Sequence, residues 1–275
     1  MNALMALLLV AVPDQTDAIP PPNLNPSPPP AGLAEAPKPQ PLSVYELHLA
    51  VDIPVTIVGG GMGLARVLFA NQLARKSCPC DPASINFIDR GTVGNHSAFA
   101  STAADVTVFG TLLALPVVDL IDVGFGRALG EDVMVYAETL AVDTGLQNLT
   151  NFIVARPRPR TYAGDPAFVS TGEGYLSFYA GHVSTAFAGF SMAAVTIRRR
   201  YGERVWPWVV GGLIASSVAV ERVASGHHFP TDVSVAAVVG TGIGITVPWL
   251  HFRSGESHVQ LTPIGSHGLG LAGAF

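Results

Sequence analysis

The segment Val233–Leu250, VSVAAVVGTGIGITVPWL, runs for 18 residues without a charged side chain. A helix needs about 20 predominantly apolar residues to cross the hydrocarbon core of a bilayer, so this segment is close to the length of a membrane span. The segments Val183–Ile197 and Val205–Val220 are also free of charge. Because glycine and alanine at this density suit close helix packing in lipid, the three segments favour a membrane helix bundle over a soluble helical enzyme.

The composition of the whole chain agrees with this interpretation. Its 275 residues are 49% apolar and 13% charged, with a mean hydropathy of +0.40. Soluble domains average about 25% charged residues, so the share here is about half the usual one. So much apolar surface excludes disorder of the whole chain. A net charge of −5 argues against a nucleic-acid partner, and two cysteines are too few for a disulfide scaffold.

Apolar segments recur along the chain and predict six helices. Their approximate bounds are 45–72, 103–125, 132–154, 182–198, 205–222 and 232–250. We therefore predict an all-α fold, a six-helix transmembrane bundle that occupies residues 42–252. Charge is costly in lipid, so the acidic residues inside these segments should face a protein interior or a polar cavity. Among them are Asp52, Asp119, Asp122, Glu138 and Asp143.

The two ends of the chain differ from the bundle in composition. Residues 1–12, MNALMALLLVAV, fit either a signal peptide or an apolar N-terminus that lacks the usual positive charge. Residues 13–41 contain 11 of the 22 prolines and predict a disordered, extended tether. Residues 253–275 are expected to form a flexible C-terminal tail.

Four arginines, Arg198, Arg199, Arg200 and Arg204, lie between the fourth and fifth predicted helices. The positive-inside rule places this loop in the cytoplasm, so the start of the fourth helix and the end of the fifth lie on the external face. We therefore expect a multi-pass protein of the cell inner membrane, with those helix ends facing the periplasm or exterior. A cleaved signal peptide would conflict with this topology.

Two short motifs in the first third of the chain invite a functional interpretation. Residues 55–65, VTIVGGGMGLA, resemble a dinucleotide-binding loop, but Leu64 stands at the third glycine position. Glycines that let one helix approach another explain this segment better. Cys78 and Cys80 are so close in sequence that a disulfide between them is not favoured over free thiols or a partner cysteine.

Polar residues gather at the predicted external helix ends. The clusters are Arg156–Arg160, RPRPR; Gly181-His182, which opens the fourth helix; and Arg222–Asp232, RVASGHHFPTD. Arginine forks match phosphate oxygens, and a helix N-terminus such as that at His182 attracts anions. A carboxylate such as Asp232 can hold the Nδ1–H of His228 and leave Nε2 free as a nucleophile. No set of ligands with local metal-binding spacing accompanies these residues.

The clusters resemble the three-part motif of the type 2 phosphatidic acid phosphatase superfamily. Its pattern K-x(6)-R-P has the spacing of Asn151 to Arg158-Pro159, P-S-G-H matches Tyr179 to His182, and S-R-x(5)-H-x(3)-D matches Glu221 to Asp232. The resemblance covers roughly residues 85–250, and its third motif is the most specific. Departures from the pattern occur at Asn151, Tyr179, Ala180 and Glu221, where the family has Lys, Pro, Ser and Ser.

The resemblance implies a phosphatase that needs no metal or other cofactor and acts on a phospholipid or polyprenyl phosphate. His228 would be the nucleophile that forms a phosphohistidine, His182 the acid and then the base, and Asp232 the residue that orients His228. The phosphate would be bound by Arg158, Arg222, Asn151 and the Gly181 N–H.

Two alternatives stay open at this point. A secreted soluble acid phosphatase of the same superfamily would need a working signal peptide in residues 1–12. A catalytically weakened protein that binds lipid phosphates is suggested by Asn151 and Ala180. The loss of one cation and one hydroxyl would remove part of the transition-state stabilisation.

Overall fold

The computed structural model describes residues 43–78 and 80–253, together with the backbone of residues 260–264 and 268–272. In this part of the chain, six α-helices are at least 19 residues long. They are α1 Leu49–Leu73, α2 Ala98–Val123, α3 Arg127–Val154, α6 Gly181–Tyr201, α7 Trp206–Ala224 and α8 Pro230–His251. Each overlaps one of the six apolar segments. Residues 1–42, with the predicted signal peptide and tether, lie outside the described residues.

Shorter elements connect and follow the long helices. The single-turn helices are α4 Pro159–Tyr162 and α5 Pro166–Val169, and the 3-10 turns are Pro82–Ser84, Arg90–Thr92 and Gly172–Tyr175. Strand β1, Gln260–Ile264, pairs antiparallel with β2, Gly268–Ala272. This strand pair lies within the segment expected to be a flexible tail, and the sequence analysis did not predict it.

Helices α1 and α3 approach each other closely at glycine residues. A Cβ atom on Gly59 would lie 2.2 Å from the carbonyl oxygen of Ala141, and one on Gly145 would lie 3.0 Å from Cα of Gly59. No side chain fits into so small a space. The glycine-rich segment around Gly59 is continuous helix, so it is a helix contact and not a nucleotide-binding loop.

Helices α6 and α8 run parallel and also meet at glycines. A Cβ atom on Gly240 would lie 2.2 Å from the carbonyl oxygen of Ser184, and one on Gly244 would lie 2.3 Å from that of Ala188. The contact advances by one helical turn along both helices in the same direction. Their N-termini therefore lie at the same end of the bundle, and α7 returns the chain between them.

Four helices, α1, α2, α7 and α8, are long and apolar enough to cross a membrane. At most 28% of the most apolar window in each is buried within the protein, which leaves most of these side chains for a surrounding apolar phase. This pattern supports a multi-pass membrane protein. Helices α3 and α6 instead bury carboxylates, amides and hydroxyls, so the prediction of six spans is not confirmed.

Asp119 of α2 and Asp132 of α3 pair with the same buried arginine. Arg200 at the end of α6 is 5% exposed. Its guanidinium lies 3.2 Å from an oxygen of Asp119 and 2.5 Å from one of Asp132. Asp143 accepts hydrogen bonds from two hydroxyl groups of α6. Arg200 is thus a buried ion-pair partner and not one of the surface charges on which the predicted topology depends.

Cys78 and Cys80 form a disulfide just after α1, with Cα atoms 4.5 Å apart. The short separation of the two cysteines in the sequence did not favour this pair. A Cα distance of 4.5 Å nevertheless lies within the range that disulfides adopt, about 4.4–6.8 Å.

The α1–α3 contact can be tested with two alanine substitutions. Gly59→Ala should destabilise the protein by about 1–3 kcal/mol, because the new methyl group overlaps the backbone of Ala141. Gly61→Ala is the matched control, since a Cβ there meets nothing within 4 Å and alanine favours a helix. Thermal unfolding in detergent measures both variants. Equal melting temperatures for the two would contradict the close contact.

Candidate active site

The candidate site forms where the ends of four long helices and two loops meet. Helix α3 ends just before the loop that carries Arg158, α7 ends just after Arg222, and the loop between α7 and α8 carries His228. His182 is the second residue of α6. The parallel packing of α6 on α8 brings these residues, from three separate motifs, to one end of the bundle.

His228 is buried, and both of its ring nitrogens have defined partners. Nδ1 lies 2.7 Å from the carbonyl oxygen of Ser177, which can only accept a hydrogen bond, so Nδ1 carries the proton. Nε2 lies 3.2 Å from Nη1 of Arg158, which can only donate. Burial lowers the pKa of His228 well below its usual range, and the charges of Arg158 and Arg222 lower it further. The imidazole is therefore neutral, with its lone pair on Nε2.

Asp232 does not hold His228 in the way that the sequence analysis predicted. Its Oδ2 lies 3.8 Å from Nδ1 of His228, which is beyond hydrogen-bonding distance. The carboxylate accepts hydrogen bonds from Ser177 Oγ at 2.6 Å, from the Phe229 N–H at 3.0 Å and from the guanidinium of Arg156. Asp232 thus positions Ser177, and the carbonyl of Ser177 orients the imidazole.

Arg158 is buried beside His228 and is held by backbone carbonyls. Its Nε donates to the oxygen of Glu173 at 2.6 Å, and its Nη1 donates to the oxygen of His227 at 3.0 Å. Burial lowers the pKa of Arg158 to about 9, so the side chain stays positive at neutral pH. A fixed positive charge therefore adjoins the lone pair of His228.

His182 and Arg222 share a carboxylate that the sequence analysis missed. Oδ1 of Asp105, on α2, lies 3.0 Å from Nε2 of His182 and 3.2 Å from Nη1 of Arg222. The Nε of Arg222 is buried and has no hydrogen-bond partner among the described residues. Asp105 lies in an apolar helix that could cross a membrane, and a carboxylate in such a helix is a functional signal that could have identified it.

The N-terminus of α6 has the properties of an anion site. No side chain caps its first turn in the described structure, because Ala180 occupies the N-cap position. The first N–H groups of the helix are left for another acceptor, and the helix dipole favours a negative one. A Cβ on Gly181 would lie 3.1 Å from the side chain of Gln147, so glycine suits this close approach.

The comparison with family models agrees with this geometry. The model of the PAP2 superfamily matches residues 132–256, which include every site residue that the sequence analysis named. This part of the chain is similar to the PAP2 superfamily. The match confirms the resemblance found in the three motifs, and it indicates a membrane-associated phosphoric ester hydrolase. No match was found among curated proteins or among solved structures.

Asn151, which stands where the PAP2 motif has Lys, has no free donor for a phosphate. Its Nδ2 donates to the carbonyl oxygens of Gln147 at 2.9 Å and Tyr179 at 3.1 Å. Both amide hydrogens are used in this way, so the expectation that Asn151 donates to substrate disagrees with the structure. Asn151 instead fixes the backbone that leads into Gly181.

A cation from outside the matched region lies near the PAP2 site. Arg66, on α1, donates to Glu173 through Nε at 2.9 Å and Nη2 at 2.7 Å. The same Glu173 carboxylate lies 3.3 Å from Nη2 of Arg158. Arg66 also donates to Gln147 at 3.3 Å, and Gln147 borders Gly181. Sequence reasoning missed Arg66 because nothing local links it to residues a hundred positions away.

Glu173 gives this arginine network a measurable pH dependence. Burial alone would raise its pKa, but Arg66 and Arg158 lower it to about 2. Glu173→Gln should therefore lower the melting temperature, and the loss should be largest above about pH 4.5, where the glutamate is ionised in both the folded and the unfolded protein. The difference from the unsubstituted protein should shrink as the pH falls toward 2, where the folded protein also protonates Glu173. Glu203→Gln, which removes an exposed partner of Arg198, is the control. A pH-independent deficit for Glu173→Gln would contradict the assigned network.

Proposed function

We propose that the chain hydrolyses a lipid phosphate or a polyprenyl diphosphate through a phosphohistidine, at the external face of the inner membrane. The observation that carries this proposal is the state of His228. The Ser177 carbonyl holds its Nδ1–H at 2.7 Å, and its Nε2 lone pair points toward the guanidinium of Arg158 at 3.2 Å. A neutral imidazole beside a fixed cation suits attack on an anionic phosphorus centre.

In the first step, Nε2 of His228 attacks phosphorus and the bond from phosphorus to the leaving oxygen breaks. Arg158, Arg222 and the first N–H groups of α6 bind the non-bridging oxygens, whose negative charge increases in the transition state. The unpartnered Nε of Arg222 supports this role because it can donate without losing an existing bond. These groups supply the positive charge that the phosphoryl transfer needs.

His182 completes the proton transfers of the proposed cycle. Its protonated form gives a proton to the leaving oxygen, and the neutral form then takes one from the water that attacks the phosphohistidine. The nitrogen–phosphorus bond breaks in this second step, and inorganic phosphate leaves. Burial and the charge of Arg222 lower the pKa of His182 to about 4, and the carboxylate of Asp105, 3.0 Å from its Nε2, opposes this shift. The negative charge of a bound phosphate would also favour the protonated form before the first step.

The surface beside the site supports an apolar chain on the substrate. Phe99 and Phe109, on α2, are 85% and 59% exposed, and Val106 between them is 66% exposed. The Phe109 ring packs edge-on against His182 with centroids 6.2 Å apart. An acyl or prenyl chain that lies along this face of α2 would leave its phosphate at His182 and Arg222.

Arg66 would supply the charge that Asn151 lacks. It reaches the site through Glu173, which contacts both Arg66 and Arg158. Glu173 is 46% exposed at its side chain, so it can move away from the arginines when a phosphate arrives. If Arg66 takes the place of the lysine that the family has at the position of Asn151, the site keeps its cation, which favours an active enzyme over an inactive protein that binds lipid phosphates.

The nucleophile is tested with purified protein and short-chain phosphatidic acid, phosphatidylglycerol phosphate and undecaprenyl diphosphate. The unsubstituted protein should release phosphate from at least one of them and form an acid-labile phosphoenzyme. His228→Ala should lose essentially all of both, whereas His96→Ala, in an exposed loop, should keep them. Full turnover by His228→Ala would disprove the assignment, and no release by the unsubstituted protein would favour the binding protein.

The role of Arg66 is tested by comparing two substitutions. Arg66→Ala should lower kcat/KM by about 10- to 100-fold, the range for losing a hydrogen bond to a charged group. Arg66→Lys should keep part of the activity, because it keeps the charge without the planar fork. If Arg66→Ala has the kinetics of the unsubstituted enzyme, Arg66 does not replace the missing lysine.

A further inference from the structure

A second cluster of titratable side chains lies at the opposite end of the bundle from His228. Asp52 on α1, Glu138 on α3 and His251 at the end of α8 are 1%, 6% and 7% exposed. One potential ligand atom of each lies within 4.8 Å of the other two. Helix α8 connects the two ends, and its length places the cluster about 30 Å from the phosphatase site at 1.5 Å per residue.

The orientation of His251 brings one ring nitrogen between the two carboxylates. Its Nδ1 lies 2.8 Å from the carbonyl oxygen of Val247, so Nδ1 donates a hydrogen bond there. Its Nε2 lies 3.3 Å from Oδ1 of Asp52 and 3.2 Å from Oε2 of Glu138. A neutral imidazole would therefore turn its lone pair toward two negative oxygens, and this arrangement needs a positive charge between them.

A hydrogen bond from His251 does not provide the positive charge that Glu138 Oε2 needs. This atom is fully buried and has no hydrogen-bond partner in the part of the chain that the structure describes. Charge-assisted hydrogen bonds between nitrogen and oxygen are about 2.7–2.9 Å long, shorter than both distances from Nε2. Around a tetrahedral ion with bonds of about 2.0–2.1 Å, neighbouring ligand atoms lie about 3.3–3.4 Å apart, close to the distances observed here.

Hydrogen bonds from neighbouring groups orient the side chains of the cluster, as they orient the ligands of known metal sites. Histidine ligands usually donate their other ring N–H to a carbonyl or carboxylate, as His251 does to Val247. The second oxygen of Asp52 accepts the backbone N–H of His48 at 2.7 Å. These bonds fix Nε2 of His251 and Oδ1 of Asp52 as the atoms that face the centre of the cluster.

We propose that Asp52, Glu138 and His251 bind a divalent first-row transition metal ion of the Zn²⁺ type. Two carboxylates and a neutral imidazole balance its charge of +2, whereas a protonated imidazole would leave one negative charge buried. One nitrogen and two carboxylate oxygens suit zinc and its neighbours better than copper(I). The ion ties α1 to α3 and α8, so its role is structural and separate from phosphate hydrolysis.

The test uses the full chain in detergent, without a histidine tag, after dialysis against a chelator. Zinc alone should rebind at one ion per chain by mass spectrometry and raise the melting temperature by several degrees. Cobalt(II) added to the metal-free protein should bind at the same site with visible absorption bands, and added zinc should remove these bands. Glu138→Gln should lose most of the bound zinc and the temperature shift. Asp143→Asn is the matched control, because it removes another buried carboxylate of α3 and should keep both.

If the variants do not fold, measurements on the unsubstituted protein are enough to overturn the proposal. A melting temperature that zinc and chelator leave unchanged, with less than about a tenth of an ion per chain, would mean that a proton occupies the cluster. Zinc binding that persists at full stoichiometry in Glu138→Gln would place the ion elsewhere and reject this site. Neither outcome depends on phosphatase activity, so the proposed function is tested separately.

Discussion

The parallel contact between α6 and α8 is the constraint on which the candidate site depends. Gly240 and Gly244 let the two backbones approach until the carbonyls of Ser184 and Ala188 fill the space where Cβ atoms would lie. This contact sets the two helix N-termini side by side, so that the partial positive charges of both dipoles face one region. His182 enters from one helix, and the loop with His228 leads into the other. A larger residue at either glycine would separate the acid from the nucleophile.

Electrostatics around His228 follow from that arrangement. Burial and nearby arginines keep the imidazole neutral, and the Ser177 carbonyl fixes which nitrogen holds the proton. In the part of the chain that the structure describes, Arg66, Arg158 and Arg222 pair with two carboxylates, Glu173 and Asp105, and both are about half exposed. A phosphate can therefore take the place of carboxylates that remain hydrated, at a lower desolvation cost than if they were buried.

The sequence predicted the parts of this protein that have local or periodic signals. Apolar segments, three of them free of charge, predicted the six long helices, and fixed spacings singled out His182, His228, Asp232 and two arginines. The residues that could not be predicted act through contacts between segments that are distant in the sequence. Asp105 and Arg66 lie on helices outside the family match, and Ser177 acts through a backbone carbonyl that any residue could supply. The motif spacing identified Asn151, but its buried amide donates to backbone carbonyls, and the spacing alone does not show which partners a side chain has.

Buried charges in different parts of the bundle are compensated in different ways. On the side opposite His228, Arg200, which is always charged, pairs directly with Asp119 and Asp132. Among the described residues, no arginine pairs with Asp52 or Glu138, and His251 is the potential cation that faces both. An imidazole can carry one positive charge, whereas the pair of carboxylates carries two negative charges. A group that the chain leaves one charge short must gain a cation or a proton, just as the arginines of the phosphate end must gain an anion.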